Sequence, residues 1–222
     1  YFLHACVNEQ EHSFKKETES LIEKLDKSYC HFWYEHIEKD GSEHHGRINF
    51  SNIDLEIIIV DHNSSSNDLS QIKNILKNIN IKNSVISLNL NDFKNEIKKI
   101  NSKNEKVTEN QLSNMANIHK SLLLAKDKCN DLIYFVEDDY LHQKEVISEM
   151  IYTYERVSSQ INSELILCPT DYPYLYTKLD STNIFLGTSK HWRVIGETLC
   201  TFLTSKQILD KYWNSYISMC KF

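Results

Sequence analysis

The chain has 222 residues, a formal net charge of -6, 41% hydrophobic and 25% charged residues. These fractions are ordinary for a globular domain and exclude a disordered tail, a collagen-like repeat and a small disulfide scaffold. Mild acidity speaks against a nucleic-acid partner, which would want a basic face. No run of roughly 18 apolar residues offers a transmembrane span.

One large domain is the expectation for this length. With only 4 glycines and 2 prolines, left-handed turn positions should fall to Asn and Asp. The 6 cysteines are scattered without a Cys-x-x-Cys pair. That disfavours a zinc ribbon and reads as free thiols packed in a core, in keeping with a reducing compartment. A cytoplasmic location is expected, with peripheral attachment to a membrane left open. No charged segment precedes an apolar stretch at the start, so no signal peptide is legible.

In chain order, residues 1–7 read as a short strand. Residues 14–28 read as a helix with Leu21, Ile22 and Leu25 on one face. Residues 30–52 are aromatic, charged and His-rich, and read as an inserted loop. Its His31, His36, His44 and His45 fit no closed zinc spacing. Residues 55–60 form a continuous apolar, β-branched run, the mark of a strand buried on both faces. The polar turn 61–68 follows, and Asp68 is expected to cap a helix carrying Leu69, Ile72, Ile75 and Leu76. Residues 83–90 alternate like a strand. Residues 91–108 are polar with one short helical patch.

Residues 109–125 carry a helical stripe through Leu112, Met115, Ala116, His119, Leu122 and Leu123. Residues 131–136 are a second buried strand. Residues 142–157 are helical, 164–168 a strand, and 170–198 aromatic with little period. Residues 204–217 close the chain as a helix with Ile208, Leu209, Tyr212, Trp213 and Tyr216 facing in. Alternating strands and helices predict an α/β fold, a mainly parallel sheet flanked by helices. Ligands of such sheets bind beyond the carboxyl ends of the strands.

Two strand ends carry chemistry. Phe135-Val136-Glu137-Asp138-Asp139-Tyr140 sets three carboxylates side by side. Such neighbours repel and are costly to bury unpaired. A hard divalent cation, held by one or two carboxylates plus substrate phosphates, would neutralise them. A solvated helix N-terminus is the alternative. The other strand end runs from Ile59 through Asp61-His62-Asn63-Ser64 to Asp68. Its first acid can accept hydrogen bonds from a base or ribose, and its turn offers hydroxyls and N–H groups. A plain strand-to-helix turn is the alternative there.

In this order, with a helix between them, the motifs resemble family 2 nucleotide-sugar glycosyltransferases. Residues 55–68 look like that family's second strand and its Ser/Asn-rich turn. Residues 114–125 (NMANIHKSLLLA) resemble the helix before its metal strand. Residues 132–140 resemble its acidic metal motif, in the Glu-Asp-Asp form of eukaryotic N-acetylglucosaminyltransferases. The resemblance covers residues 1–160 and is loose beyond.

It implies a GT-A (Rossmann-like) fold in a single domain over 1–222. Residues 1–160 would be the nucleotide-sugar and metal part, and 161–222 the acceptor side. It also implies a nucleotide-diphosphate sugar donor, Mn2+ or Mg2+, a glycan or other hydroxyl acceptor, and inversion. Asp61 would contact the nucleotide, with Asn63 where the family has Gly. Asp139 would bind the metal, and Glu137 and Asp138 would touch ribose or metal-bound water. Lys120 stands in for a family Arg. His191 is the candidate late metal ligand, and Arg193 could balance diphosphate charge. Glu197, or its rival Asp171, would serve as the base that takes the acceptor's proton. Tyr172, Tyr174, Tyr176, Phe185 and Trp192 are either sugar-stacking or core aromatics. Gly187 and Gly196 would be hinges for the His191 segment. The rival readings are a nucleotidyltransferase of similar fold and an inactive sugar- or protein-binding module. The first would want a Gly-rich cationic loop where Val7-Asn8-Glu9-Gln10-Glu11 stands.

Overall fold

The computed structural model describes residues 54–93, 97, 105–170, 177, 182–198 and 200–220, and the backbone of 2–7, 34–37 and 43–46. The expected helix over 14–28, Asp171 and the tyrosines 172, 174 and 176 lie outside the described residues.

The apolar runs become strands because they can be buried on both faces. Ile57, Ile58, Ile59 and Val60 are each 1% exposed or less. The strands are β1 (Phe2–Val7), β2 (Tyr34–Ile37), β3 (Glu43–Gly46), β4 (Glu56–Asp61), β5 (Lys82–Ser87), β6 (Leu132–Glu137), β7 (Ile166–Leu167), β8 (Ile184–Leu186), β9 (His191–Arg193) and β10 (Phe202–Ser205). Six of them form one sheet in the order β5-β4-β1-β6-β10-β7. β5, β4, β1 and β6 run parallel. β10 is antiparallel to both β6 and β7. The architecture is mixed α/β.

Helices cover both faces. α1 (Ser66–Lys77) and α3 (Val146–Ile161) pack on the side of Ile57, Ile59, Leu132, Tyr134 and Val136. α2 (Glu109–Lys128), α4 (Lys206–Lys211) and α5 (Trp213–Ser218) pack on the side of Ile58, Val60, Ile133 and Phe135. The two-residue period of a strand divides the sheet's side chains between these two cores. Among the described residues no helix is long and apolar enough to cross a membrane. Cys129, Cys168, Cys200 and Cys220 are free thiols, and Cys129 and Cys220 are buried.

Several local expectations are corrected. Within 30–52, β2 and β3 pair antiparallel, so this stretch holds a hairpin and is not bare loop. Ser65 caps α1, its side chain accepting from the Asp68 N–H at 3.2 Å; Asp68 is a first-turn acid that takes the Ser65 hydroxyl. α3 starts at Val146, which leaves His142 in the preceding loop. β8 and β9 pair antiparallel inside the stretch without period. The closing helix starts two residues late, at Lys206, and breaks at Tyr212 into α4 and α5, because Thr204 and Ser205 belong to β10 and pair in the sheet with β6 and β7. Tyr212 is 48% exposed and does not face in.

Asn63 and Asn162 are the non-glycine residues at positive φ among those described, at 69° and 49°. Asn takes this conformation with local side-chain help that β-branched residues lack. Asn63→Val should therefore lose about 1–2 kcal/mol of unfolding free energy, while Asn63→Gly stays within about 0.5 kcal/mol of the parent. Chemical denaturation checks this, and equal stability of the Val variant would refute the backbone reading.

Candidate active site

Parallel pairing decides which residues meet. β1 lies between β4 and β6, with Val7 opposite Asp61 and Cys6 opposite Glu137. The chain leaves β1 for β4 and β5 on one side and returns with β6 on the other. This reversal makes a topological switch point among the parallel strands, and ligands of open α/β sheets bind outside the carboxyl ends of strands at such points. Asp61 and Glu137 end the two strands flanking β1, roughly 10 Å apart at two strand spacings.

Asp61 is 2% exposed, and its Oδ1 has no hydrogen-bond partner among the described residues. A buried carboxylate oxygen without a donor is costly, which makes this one a candidate acceptor for a ligand's donor. The turn after it is fixed by the left-handed Asn63 and by a 2.7 Å hydrogen bond between the Ser113 hydroxyl and His62 Nδ1. The latter ties the first turns of α2 to the carboxyl edge. Lys120 is half-buried on the same helix. At seven residues from Ser113 it stands roughly 10 Å further along the axis, so its backbone lies back from that edge.

The acids of the 137–139 motif differ in setting. Glu137 ends β6, half-buried, and its N–H donates to the Thr201 hydroxyl at 3.0 Å. Burial, then repulsion from Asp139 and Asp138, pushes its carboxyl up to about 7, against a partial lowering by the Cys200 thiol that bonds it. Burial and the same carboxylate push the Cys200 thiol up to about 11. Asp138 is half-buried and Asp139 is exposed.

Beside these acids lies a cavity of ≈ 340 Å³. Tyr140 and Thr201, which adjoin the acidic motif, form part of its wall, as do His142, His191, Trp192 and Arg193. His142 Nδ1 lies 3.1 Å from the Tyr140 carbonyl and its Nε2 2.9 Å from the Tyr134 hydroxyl. The carbonyl can only accept, so Nδ1 carries the proton and Nε2 accepts from the phenol. Burial holds that phenol well above its ordinary pKa, which keeps it a donor. The loop after the acids is thus pinned to the core of β6.

The far wall is the β8–β9 hairpin, held by Glu149 of α3. Its Oε1 accepts from Thr188 N at 3.0 Å, Lys190 N at 3.2 Å and the Trp192 indole at 3.1 Å. Its Oε2 accepts from Ser189 N at 2.8 Å and the Ser189 hydroxyl at 3.2 Å. Gly187 is buried, and a Cβ there would collide with Glu149 Oε1 and stand 2.7 Å from both Thr153 Oγ1 and Trp192 Nε1. Gly187 is therefore a close-packing glycine. Gly196 has nothing within 4 Å of such a Cβ.

The structure thus gathers Asp61, Asn63, Glu137, Asp138 and Asp139 at one sheet edge, and His191 and Arg193 on a neighbouring cavity wall. Glu197 is exposed after β9 and does not line that cavity. Among the described residues, no group of three His, Cys, Asp or Glu side chains is arranged to hold a metal ion. Sequence reading missed Tyr134, His142, Glu149 and Thr201. Glu149 left a trace: an acid inside the apolar stripe Val146, Met150, Thr153, Tyr154 and Val157. No family model, curated protein or solved structure matches this chain significantly.

The raised Glu137 carboxyl makes stability depend on pH. Below the ordinary value of 4.5, folded and unfolded chains both hold the proton. Between 4.5 and about 7 the unfolded carboxyl ionises first, so stability falls as pH rises through that window. Glu137→Gln should melt above the parent at pH 8, and the gap should close on acidification to about pH 4.5. A gap independent of pH would remove Glu137 as its source.

Proposed function

We propose that the chain is a metal-dependent glycosyltransferase of the GT-A type, transferring a sugar from a nucleotide-diphosphate donor to a hydroxyl acceptor with inversion. The observation that carries this is the placement of buried, donor-seeking Asp61 and the Glu137-Asp138-Asp139 cluster on either side of one strand switch point. The order β5-β4-β1-β6 also supports it, since it repeats the 3-2-1-4 order of nucleotide-binding sheets.

The carboxylate oxygens suit a hard cation such as Mn2+ or Mg2+, and such a cation would offset the repulsion that, after burial, helps to lift Glu137. One or two of these acids with the donor's phosphates make a sufficient set, without three protein ligands. Asp139, with Glu137 beside it and His191 as a further candidate, would hold the ion, which when bound would stabilise charge developing on the departing diphosphate.

Asp61 accepts hydrogen bonds from the nucleoside, and the turn at Asn63 leaves room for it. Arg193 balances phosphate charge from the cavity wall. The acceptor's hydroxyl oxygen attacks the anomeric carbon as the bond to the diphosphate oxygen breaks. The bonding pair leaves with the nucleoside diphosphate. The hydroxyl proton passes to a carboxylate, Glu197 or Asp171. Trp192 and Tyr140 give the sugar apolar faces.

Two substitutions test this. Asp139→Ala should abolish manganese-dependent transfer in a screen of nucleotide sugars while keeping the parent's circular dichroism spectrum. Asp61→Asn should weaken nucleoside-diphosphate binding roughly 10- to 100-fold by calorimetry, the worth of one hydrogen bond to a charged group. Full transfer by the first variant, or parental affinity in the second, would contradict the assignments.

A further inference from the structure

Glu149 is a buried charge that this reaction scheme does not use. It is 5% exposed and sits in the apolar stripe of α3. Among the described residues, all five of its side-chain donors come from residues 188–192. Three successive N–H groups, from Thr188, Ser189 and Lys190, converge on its two oxygens, the geometry of an anion nest. The nest closes on itself through Gly187 N to Lys190 O at 2.8 Å, and the Arg156 guanidinium takes the Leu186 carbonyl. Immediately after the nest come His191 and Arg193, which line the cavity.

Swinging this hairpin away would strip a buried carboxylate of every donor, the least favourable state for such a group. A side chain at position 187 would have the same effect by displacing Glu149. We propose that Glu149 is a positioning residue: it locks the β8–β9 hairpin as a fixed cavity wall, so that His191 and Arg193 are preorganised toward the substrate rather than carried on an opening lid. What the wall acts on rests on the glycosyltransferase reading; the anchoring itself does not.

Glu149→Gln keeps the side chain's size but turns one acceptor oxygen into a donor that faces N–H groups. Thr153→Val serves as the control. Thr153 lies on the same helix, is 1% exposed, and its hydroxyl has no partner among the described residues. Assayed well below its melting temperature, Glu149→Gln should lose roughly 100-fold in kcat/KM, the order expected when reacting groups are misplaced by about 1 Å. Its nucleoside-diphosphate affinity should fall as well, because Arg193 is displaced from the phosphates, and Thr153→Val should keep both kcat/KM and that affinity. In hydrogen exchange, the amides of 188–190 and the Trp192 indole N–H should be protected like β6 in the parent and lose protection in Glu149→Gln. Parental kcat/KM in Glu149→Gln, or surface-loop exchange rates at 188–190 in the parent, would overturn the proposal. Failure of the parent to turn over any nucleotide sugar would overturn the transfer reading and the positioning role with it. The exchange data alone would then still decide the anchoring.

Discussion

The parallel ladder β4-β1-β6 is the constraint on which the site depends. Parallel neighbours need a crossover between them, so each returns in the same direction and delivers its carboxyl end to the same edge of the sheet. Asp61 and Glu137 flank the carboxyl end of β1 for that reason, although 76 residues separate them in the chain. The antiparallel β10 completes the edge. Running against β6, it starts where β6 ends, with Phe202 opposite Phe135, and this brings Cys200 and Thr201 to Glu137. Reversing one strand would scatter these groups to opposite ends of the sheet.

Around that edge, electrostatics are unevenly settled. The Glu149 charge is answered by a full set of donors and serves to hold a wall. Asp61 keeps one oxygen without a partner among the described residues, in a buried position. Glu137 is driven toward its neutral form first by burial and then by its acidic neighbours. A protein can keep such groups where a ligand completes them, and Asp61 and Glu137 both lie at the switch point. The contrast separates the residues that build the site from those set aside for a ligand.

Much of the sheet was legible because its strands are continuous apolar runs of β-branched residues. The central strands around 55–60 and 131–136 and the helices α1 and α2 fall where periodicity puts them. The acids at strand ends were legible for the same reason, since a polar residue straight after a buried run must lie at the sheet's edge. What failed was short or non-local. Residues 202–205 run straight into helix-forming sequence, and pairing with β6 and β7 makes them a strand. The β8–β9 hairpin carries three residues per strand and leans on Glu149, which lies about 40 residues earlier in the chain. The scarcity of glycine, by contrast, had direct structural meaning. Asn63 takes a left-handed position, and Gly187 stands where a side chain would dislodge Glu149.

The account stands or falls on whether a nucleotide and a cation meet at the switch point. Manganese is paramagnetic, so amide resonances near a bound ion broaden. Spectra should be compared for the protein with a nucleoside diphosphate alone, with Mn2+ alone, and with both. The account predicts that broadening with both present centres on residues 137–140 and reaches Asp61 and His191, and that Mg2+ in excess reverses it. Broadening confined elsewhere, or none with any nucleoside diphosphate, would contradict it.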